Sequence, residues 1–294
     1  MSSTDGLLLV DKPEGETSTR ALAVARRALG IRKVGHTGTL DPFATGLLPL
    51  AFGEATKFSR FLLDADKSYR ARLRLGATST TGDTEGEITE IGDFSGDFEE
   101  VAKVLEGMKG AQAQVPPMHS AVRVGGRRLY DLAREGVLVE RVARNIVVKS
   151  IECTELSSKY IEFSVTCSKG TYVRTLGEEI GRRLGCGGYL VALRRTAIGR
   201  FRVEDALSPS AMAEMGQEAA RTRLLPTEVL VESLGRLAVG EREAWAFCNG
   251  QHIDPPTPLA GEIAIYGPGG RFLGVARAVA GRLAPARLMA TGHG

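Results

Sequence analysis

Between Lys67 and Leu75 the chain alternates strictly, with Tyr69, Ala71, Leu73 and Leu75 on one side and Arg70, Arg72 and Arg74 on the other. A period of two predicts a half-buried strand with a basic outer face. Ile161, Phe163, Val165 and Cys167 repeat the pattern, and a turn at Lys169-Gly170 leads into a predicted helix over residues 171–184. The apolar run at residues 6–10 ends at Asp11-Lys12-Pro13 and reads as a buried strand entering a turn. Over residues 17–29 the apolar positions Leu22, Ala25, Ala28 and Leu29 share a helical face; Thr17 or Ser18 can cap the start and Gly30 the end. Residues 35–53 are punctuated by glycine, residues 54–63 read as a helix, and Phe98, Val101, Leu105 and Met108 mark another amphipathic helix that Gly110 stops. Strands and helices alternate irregularly, without the regular spacing of a doubly wound sheet, which predicts a mixed α+β fold. Beyond Leu225-Pro226 the texture turns Gly- and Pro-rich, with short strands at residues 262–266 and 271–279 joined by Gly267-Pro268-Gly269-Gly270, a small β-rich appendage.

Composition narrows this picture only slightly. The 294 residues suffice for one large domain plus a small one, and 43% apolar with 25% charged residues is ordinary for a folded chain. A net charge of +3 does not by itself mark a nucleic-acid binder. Its distribution says more: basic residues gather at Arg26, Arg27, Arg32 and Lys33, at Arg123, Arg127 and Arg128, and at Arg194, Arg195, Arg200 and Arg202. Clusters that converge in the fold would line a groove for phosphates; otherwise they are solvated surface. Four cysteines without a C-x-x-C pair, and four scattered histidines, give no zinc or disulfide framework. No run of membrane-spanning length or leader pattern is present, so a soluble, cytoplasmic protein is expected.

The most unusual stretch is Gly35-His36-Thr37-Gly38-Thr39-Leu40-Asp41-Pro42-Phe43-Ala44-Thr45-Gly46, which packs a carboxylate, an imidazole and several hydroxyls into one glycine-bounded loop. Taken singly, its residues have plain readings. Asp41 before Pro42 suits a helix N-cap followed by proline at the first helical position, and His36 suits a surface or packing role. Tyr69 reads as a core tyrosine, and Arg174 with Glu178 as an exposed i,i+4 ion pair.

Their order along the chain points elsewhere. Lys12-Pro13-x-Gly15 with Ser18, the Gly35–Gly46 block, Gly53-Glu54-Ala55-Thr56-Lys57, Lys67-x-Tyr69, Pro116-Pro117-Met118-x-Ser120-Ala121, Cys167-Ser168-Lys169-Gly170-Thr171-Tyr172-Val173-Arg174 and Leu193-Arg194-Arg195-Thr196 follow one another over about 200 residues. In this order the chain resembles the TruB family of pseudouridine synthases. Gly126, Leu129-Tyr130 and Ala133-Arg134 continue the central block, while His119 and Arg123 stand where the family commonly has Tyr and Lys. The C-terminal appendage resembles, more weakly, a PUA-type RNA-binding domain.

The resemblance implies a mixed-sheet pseudouridine synthase catalytic domain over residues 1–230, with an RNA-clamping insertion at about 122–145, and a PUA-like domain over 236–294. It implies isomerisation of uridine to pseudouridine at position 55 in the T loop of tRNA, with tRNA as partner, no cofactor, no metal and a monomeric enzyme. The base would be detached from ribose C1′, turned and rejoined through carbon 5, after the nucleotide is flipped out of its stack. Asp41 would be the nucleophile, acting at C1′ or the neighbouring carbon. Arg174 would hold Asp41 ionised, and the two are therefore expected within ion-pair reach. Tyr69 would stack on uracil and manage proton transfer at carbon 5. His36 would insert into the T loop, and Tyr172 and Leu193 would line the base pocket. Two other readings stand beside this one: a guide-RNA-dependent, dyskerin-like synthase, and a tRNA-folding protein on a disused synthase fold.

Overall fold

The computed structural model describes residues 4–120, 123–137 and 139–290. Ala121 of the central block, Val122 and Leu138 of the insertion, and both chain ends lie outside the described residues. In chain order the first half comprises β1 (Gly6–Lys12), α1 (Ser18–Leu29), β2 (Val34–His36), β3 (Thr45–Phe52), α2 (Ser59–Leu63), β4 (Lys67–Leu75), the pair β5 (Ala77–Ser79) and β6 (Ile88–Glu90), α3 (Phe98–Glu106) and β7 (Gly110–Gln114). Then come the two-residue ribbon β8 (Arg123–Val124) and β9 (Arg127–Arg128), α4 (Leu129–Arg134), β10 (Arg144–Leu156), β11 (Tyr160–Cys167), α5 (Val173–Arg183), β12 (Gly188–Ile198) and β13 (Phe201–Arg202). These build a nine-stranded mixed sheet in the order β1-β3-β12-β4-β11-β10-β7, with β2 added to β3 and β13 to β12. Among the described residues of this sheet, only the β3–β12 pairing is parallel.

The alternation of β4 does what its period predicts. Tyr69, Ala71, Leu73 and Leu75 enter the main core against α1, α3 and α5, while Arg70 and Arg72 stay exposed on the other face. The α1 helix begins where Thr17 Oγ1 accepts the Arg20 N–H at 3.1 Å and ends at Gly30, whose φ of 64° lets its N–H reach the Arg26 and Arg27 carbonyls.

Three expectations are corrected. The glycine-punctuated stretch is not all loop: Thr45–Phe52 forms strand β3, a continuous apolar run because one face packs in the main core and the other beneath the C-terminal part of the chain. Residues 54–63 are a 3-10 turn at Gly53–Phe58 followed by the short α2 rather than one α-helix. Phe98, assigned to the buried face of its helix, is exposed at the first turn of α3, where Val101 and Leu105 do the packing.

After α6 (Pro209–Glu214) and α7 (Gln217–Arg221), a second sheet forms from β14 (Gly235–Ala238), β15 (Glu262–Tyr266), β16 (Phe272–Val279) and β17 (Arg282–Leu288), with α8 (Glu241–Cys248) across one side. It docks on the outer face of β1 and β3. Phe58 meets Phe272 edge to face with centroids 5.2 Å apart, Lys57 Nζ donates to the Leu288 carbonyl at 2.9 Å, and Arg60 pairs with Glu262. The two sheets therefore share an apolar seam that includes Leu7, Leu9, Tyr266 and Val275. This leaves the loops at the open ends of β3, β4 and β12, and the start of α5, free to surround a cleft.

Candidate active site

Four segments converge on that cleft. The first is the loop between β2 and β3. Lys12 Nζ, fully buried, donates to the carbonyls of Pro13 (2.8 Å), Glu16 (2.7 Å) and Pro42 (3.2 Å), and Ser18 Oγ both donates to the Leu40 carbonyl (3.0 Å) and accepts its N–H (2.9 Å). The first motif thus exists to clamp the loop that carries Asp41. No helix follows Pro42, since residues 41–44 are irregular, with a bend at 42–43, and lead into β3, so Asp41 is not a helix cap.

The second segment is the start of α5. Tyr172 occupies its N-cap position and has no capping side chain. Gln114, on the edge strand β7, substitutes for one: its Oε1 accepts the Tyr172 N–H at 2.7 Å and its Nε2 donates to the Tyr172 carbonyl at 3.1 Å. This fixes the first turn, in which Arg174 points inward and is 3% exposed.

Arg174 is the hub. Its Nη2 lies 3.0 Å from Asp41 Oδ2 and its Nη1 3.2 Å from Asp83 Oδ2. The same nitrogens donate to the His119 carbonyl (2.7 Å) and the Thr81 carbonyl (2.9 Å). The i,i+4 pairing with Glu178 does not form. Asp83, the third contributor, was not singled out from the sequence. It sits in the turn between β5 and β6, after Gly82, whose φ of 73° and contact with Glu178 and Arg174 admit no side chain. Its carboxylate is 2% exposed and fully engaged, taking the Thr81 hydroxyl at 2.5 Å and the Glu85 N–H at 3.0 Å besides Arg174. One arginine thus serves two carboxylates with opposite access. Asp83 is sealed, whereas the Asp41 side chain is 37% exposed to the cleft.

The fourth segment is the centre of the sheet, where β4 contributes Tyr69 and β12 contributes Leu193 and Arg195. Asp41, Tyr69, Tyr172, Arg174 and Leu193 line one cavity of about 260 Å³, together with Lys67, Ser120 and Arg195. That volume accommodates a single nucleoside rather than a helix of RNA. His36 is not among the lining residues. It lies on β2 opposite Leu50, half-buried, with Nδ1 enclosed and unpartnered, and burial lowers the basicity of its ring. A larger hollow of about 610 Å³ beside β1, lined by Leu8, Arg200, Phe201 and Arg223 among others, brings none of these residues together.

The electrostatics of the cavity are set by burial. Asp41 is held above the ordinary carboxylate range, first by desolvation and then by the charge of Asp83, while Arg174 pulls the other way. Burial also raises the Tyr69 phenol above its usual value, opposed by Arg195. Lys67 is brought down to about 8 by burial, its Nζ donating to the Leu63 and Ala65 carbonyls at 2.6 Å each. Such a site can present an anionic oxygen to a sugar carbon, with an aromatic ring beside it and a fixed guanidinium behind it.

Comparison with known proteins meets this geometry from the other side. Residues 26–173 match the family model for the TruB family pseudouridylate synthase N-terminal domain, residues 174–232 that for the tRNA pseudouridylate synthase B C-terminal domain, and residues 236–289 that for the pseudouridine synthase II TruB C-terminus. The protein named tRNA pseudouridine synthase B of Dechloromonas aromatica (strain RCB) is 46% identical over 271 residues, covering 92% of this chain and 90% of its own. The one from Azoarcus sp. (strain BH72) is 46% identical over 291 residues, covering 99% and 96%. Among solved structures, a Cbf5-Nop10-Gar1 complex contains a chain with a TM-score of 0.70 at 26% identity, covering 94% of this chain and 79% of that one. The archaeal box H/ACA sRNP Nop10-Cbf5 complex gives 0.73 at 23% identity, covering 98% and 86%, a likeness of fold. With an aspartate presented to a nucleoside-sized cavity, and with relatives this similar over nearly the whole length, the chain belongs to the TruB family of pseudouridylate synthases.

Proposed function

We propose that this protein converts uridine to pseudouridine at position 55 in the T loop of tRNA, acting alone and without a cofactor, with Asp41 as nucleophile, Arg174 as its counter-ion and Tyr69 as the group that stacks on uracil and handles the proton at carbon 5. The observation that supports it most is the open carboxylate of Asp41, the only one lining the cleft among the described residues, ion-paired at 3.0 Å to a buried arginine whose other carboxylate is sealed away. Tyr172 and Leu193 form the walls of the base pocket, and His36 meets the loop from which the nucleotide has been drawn. Residues 1–230 are the catalytic part, with the insertion at 122–145 closing over RNA, and residues 236–294 a PUA-like accessory. The protein works as a monomer in the cytoplasm, the compartment its substrate implies.

The test is incubation of the purified protein with an unmodified tRNA transcript, followed by mapping of pseudouridine. Modification confined to position 55 is the expected result. Absence of product without a guide RNA would move the protein to the dyskerin-like class, and binding without product would leave only the folding role.

Two variants probe the chemistry. Tyr69→Phe keeps the ring, so tRNA affinity stays near native while turnover falls by roughly 10²-fold or more, the scale of a lost acid–base group; a fully active Phe variant removes the hydroxyl from the mechanism. The second concerns pH. The reactive form of Asp41 is the anion, and its carboxyl is raised mainly by burial. The rate should therefore climb with pH through a midpoint above that of an ordinary aspartate. Asp83→Asn removes a neighbouring negative charge and leaves Arg174 to Asp41 alone, two changes of the same sign. The acid limb of the single-turnover profile should move to lower pH in this variant, and a limb that stays in place contradicts the assigned coupling.

A further inference from the structure

Arg195 heads the largest fully buried side chains of the protein, at 1% exposure. Its Nε donates to the Leu47 carbonyl at 2.7 Å, its Nη2 to Gly38 at 3.1 Å and its Nη1 to Thr39 at 3.4 Å. All three carbonyls belong to the loop of Asp41 or the strand that follows it. On its other side the register of the sheet places Arg195 directly opposite Tyr69 on β4 and opposite Gly46 on β3. Directly opposed residues of an antiparallel pair project from the same face; the two side chains line the same cavity, and the guanidinium charge acts on the Tyr69 phenol. The fit at Gly46 is close: a Cβ there would lie 2.3 Å from the Arg195 carbonyl oxygen, so only glycine lets β12 approach.

What sets Arg195 apart from Arg174 is its charge balance. Arg174 meets two carboxylates; among the described residues Arg195 has none within ion-pair distance, and the charge of Asp41 reaches it only from across the cavity. Burying a guanidinium without a counter-ion is costly, and tying three carbonyls together needs only neutral donors. A permanent charge in that place is explained by an anion that arises during the reaction.

We propose that Arg195 is a positioning residue for Tyr69, holding the phenolic oxygen against uracil carbon 5 and stabilising the negative charge that oxygen bears as it takes the carbon-5 proton. At that stage the base is already joined to ribose C1′ through C5, which carries both the new bond and its hydrogen, with C6 doubly bonded to N1. Tyr69 releases its own proton to water in the open cleft. Its oxygen then takes the proton from C5, the C5–H electron pair closes the C5=C6 double bond, and the C6=N1 pair moves onto N1, which takes a proton from water. Atoms and charge balance with water alone as partner.

The inference rests on the reading of Tyr69 given above, and the experiment keeps the two apart. A tRNA transcript carrying deuterium at uracil C5 is turned over in single-turnover conditions by native protein and by Arg195→Gln, Arg195→Met, Arg195→Lys and Tyr69→Phe. The neutral Gln and Met variants should be slower by roughly 10²-fold and show a C5 isotope effect larger than that of native protein, because proton removal has become limiting. Arg195→Lys retains a charge and should restore the native isotope effect even where its rate is lower. A folded neutral variant that is slow with an unchanged isotope effect overturns the proposal, and so does failure of both neutral variants to fold while the lysine variant folds. A native rate for Tyr69→Phe sinks the reading of Tyr69 itself, whereas failure at Arg195 alone leaves that reading standing.

Discussion

Asp41→Asn is expected to lower the single-turnover rate of pseudouridine formation by roughly 10⁴-fold or more, the scale on which a lost nucleophile acts, while leaving tRNA affinity within a few-fold of native. The second half of this expectation follows from the layout of the charges. Asp41 is the open member of the pair that shares Arg174, and its removal leaves the buried guanidinium still neutralised by Asp83 at 3.2 Å and hydrogen-bonded to the Thr81 and His119 carbonyls. No orphaned charge remains inside the protein, so thermal stability should change little. The amide is isosteric and occupies the cavity as before, but it has no anionic oxygen to offer the sugar. Binding by filter retention and product by pseudouridine mapping report the two halves separately. A turnover within tenfold of native would remove Asp41 from its proposed role, and a loss of activity that merely tracks unfolding would show that the shared-cation layout had been misjudged.

Arg174→Met should act in the opposite way, through stability as well as rate. Here the cation goes and the sealed carboxylate of Asp83 stays, at 2% exposure, with one oxygen facing an apolar side chain. Breaking a buried pair by removing one partner costs about 3–5 kcal/mol, and the two carbonyls lose their donors as well. The denaturation midpoint should fall accordingly, and the residual folded protein should be inactive because Asp41 has lost its counter-ion. Arg174→Lys is no remedy, since a single ammonium cannot fork between two carboxylates and two carbonyls. The diagnostic comparison is Arg174→Met in an Asp83→Asn background. With the buried charge already neutralised, the same substitution should cost distinctly less, a coupling characteristic of groups in one network. Equal costs in the two backgrounds would show that Asp83 is held by something other than Arg174.

Much of the fold is legible in the sequence. The alternation of Lys67–Leu75 and of Ile161, Phe163, Val165 and Cys167 marked two strands, whose adjacency only the structure shows, and Thr17 or Ser18 and Gly30 marked the ends of α1, because each of these signals is a relation between residues a few positions apart. The strand β3 escaped notice for the complementary reason. A strand buried on both faces has no polar alternation, and its apolar run sits among glycines that suggest a loop. Helix α5 was visible, and the resemblance alone brought Arg174 to Asp41, as the 3.0 Å pair bears out; locally, an arginine four residues before a glutamate is the ordinary mark of an exposed pair. Asp83 left no trace, being one acidic residue in a Thr- and Gly-rich turn. Arg195 was visible only as a letter in a motif, with nothing local to distinguish it from Arg194, which pairs with Asp11 at the surface.

By itself, the order of the amino acids determined the local elements and, through the succession of motifs, the family; periodicity, capping and motif context act over short stretches of chain and survive being read in one dimension. Beyond the Arg174–Asp41 pair, which the family resemblance implied, the facing of charges was decided only by the tertiary structure. Arg174 reaches Asp41 and Asp83, and Arg195 reaches Tyr69, because sheet register and the docking of α5 bring distant stretches together, and burial there, by removing water, turns those meetings into strong interactions.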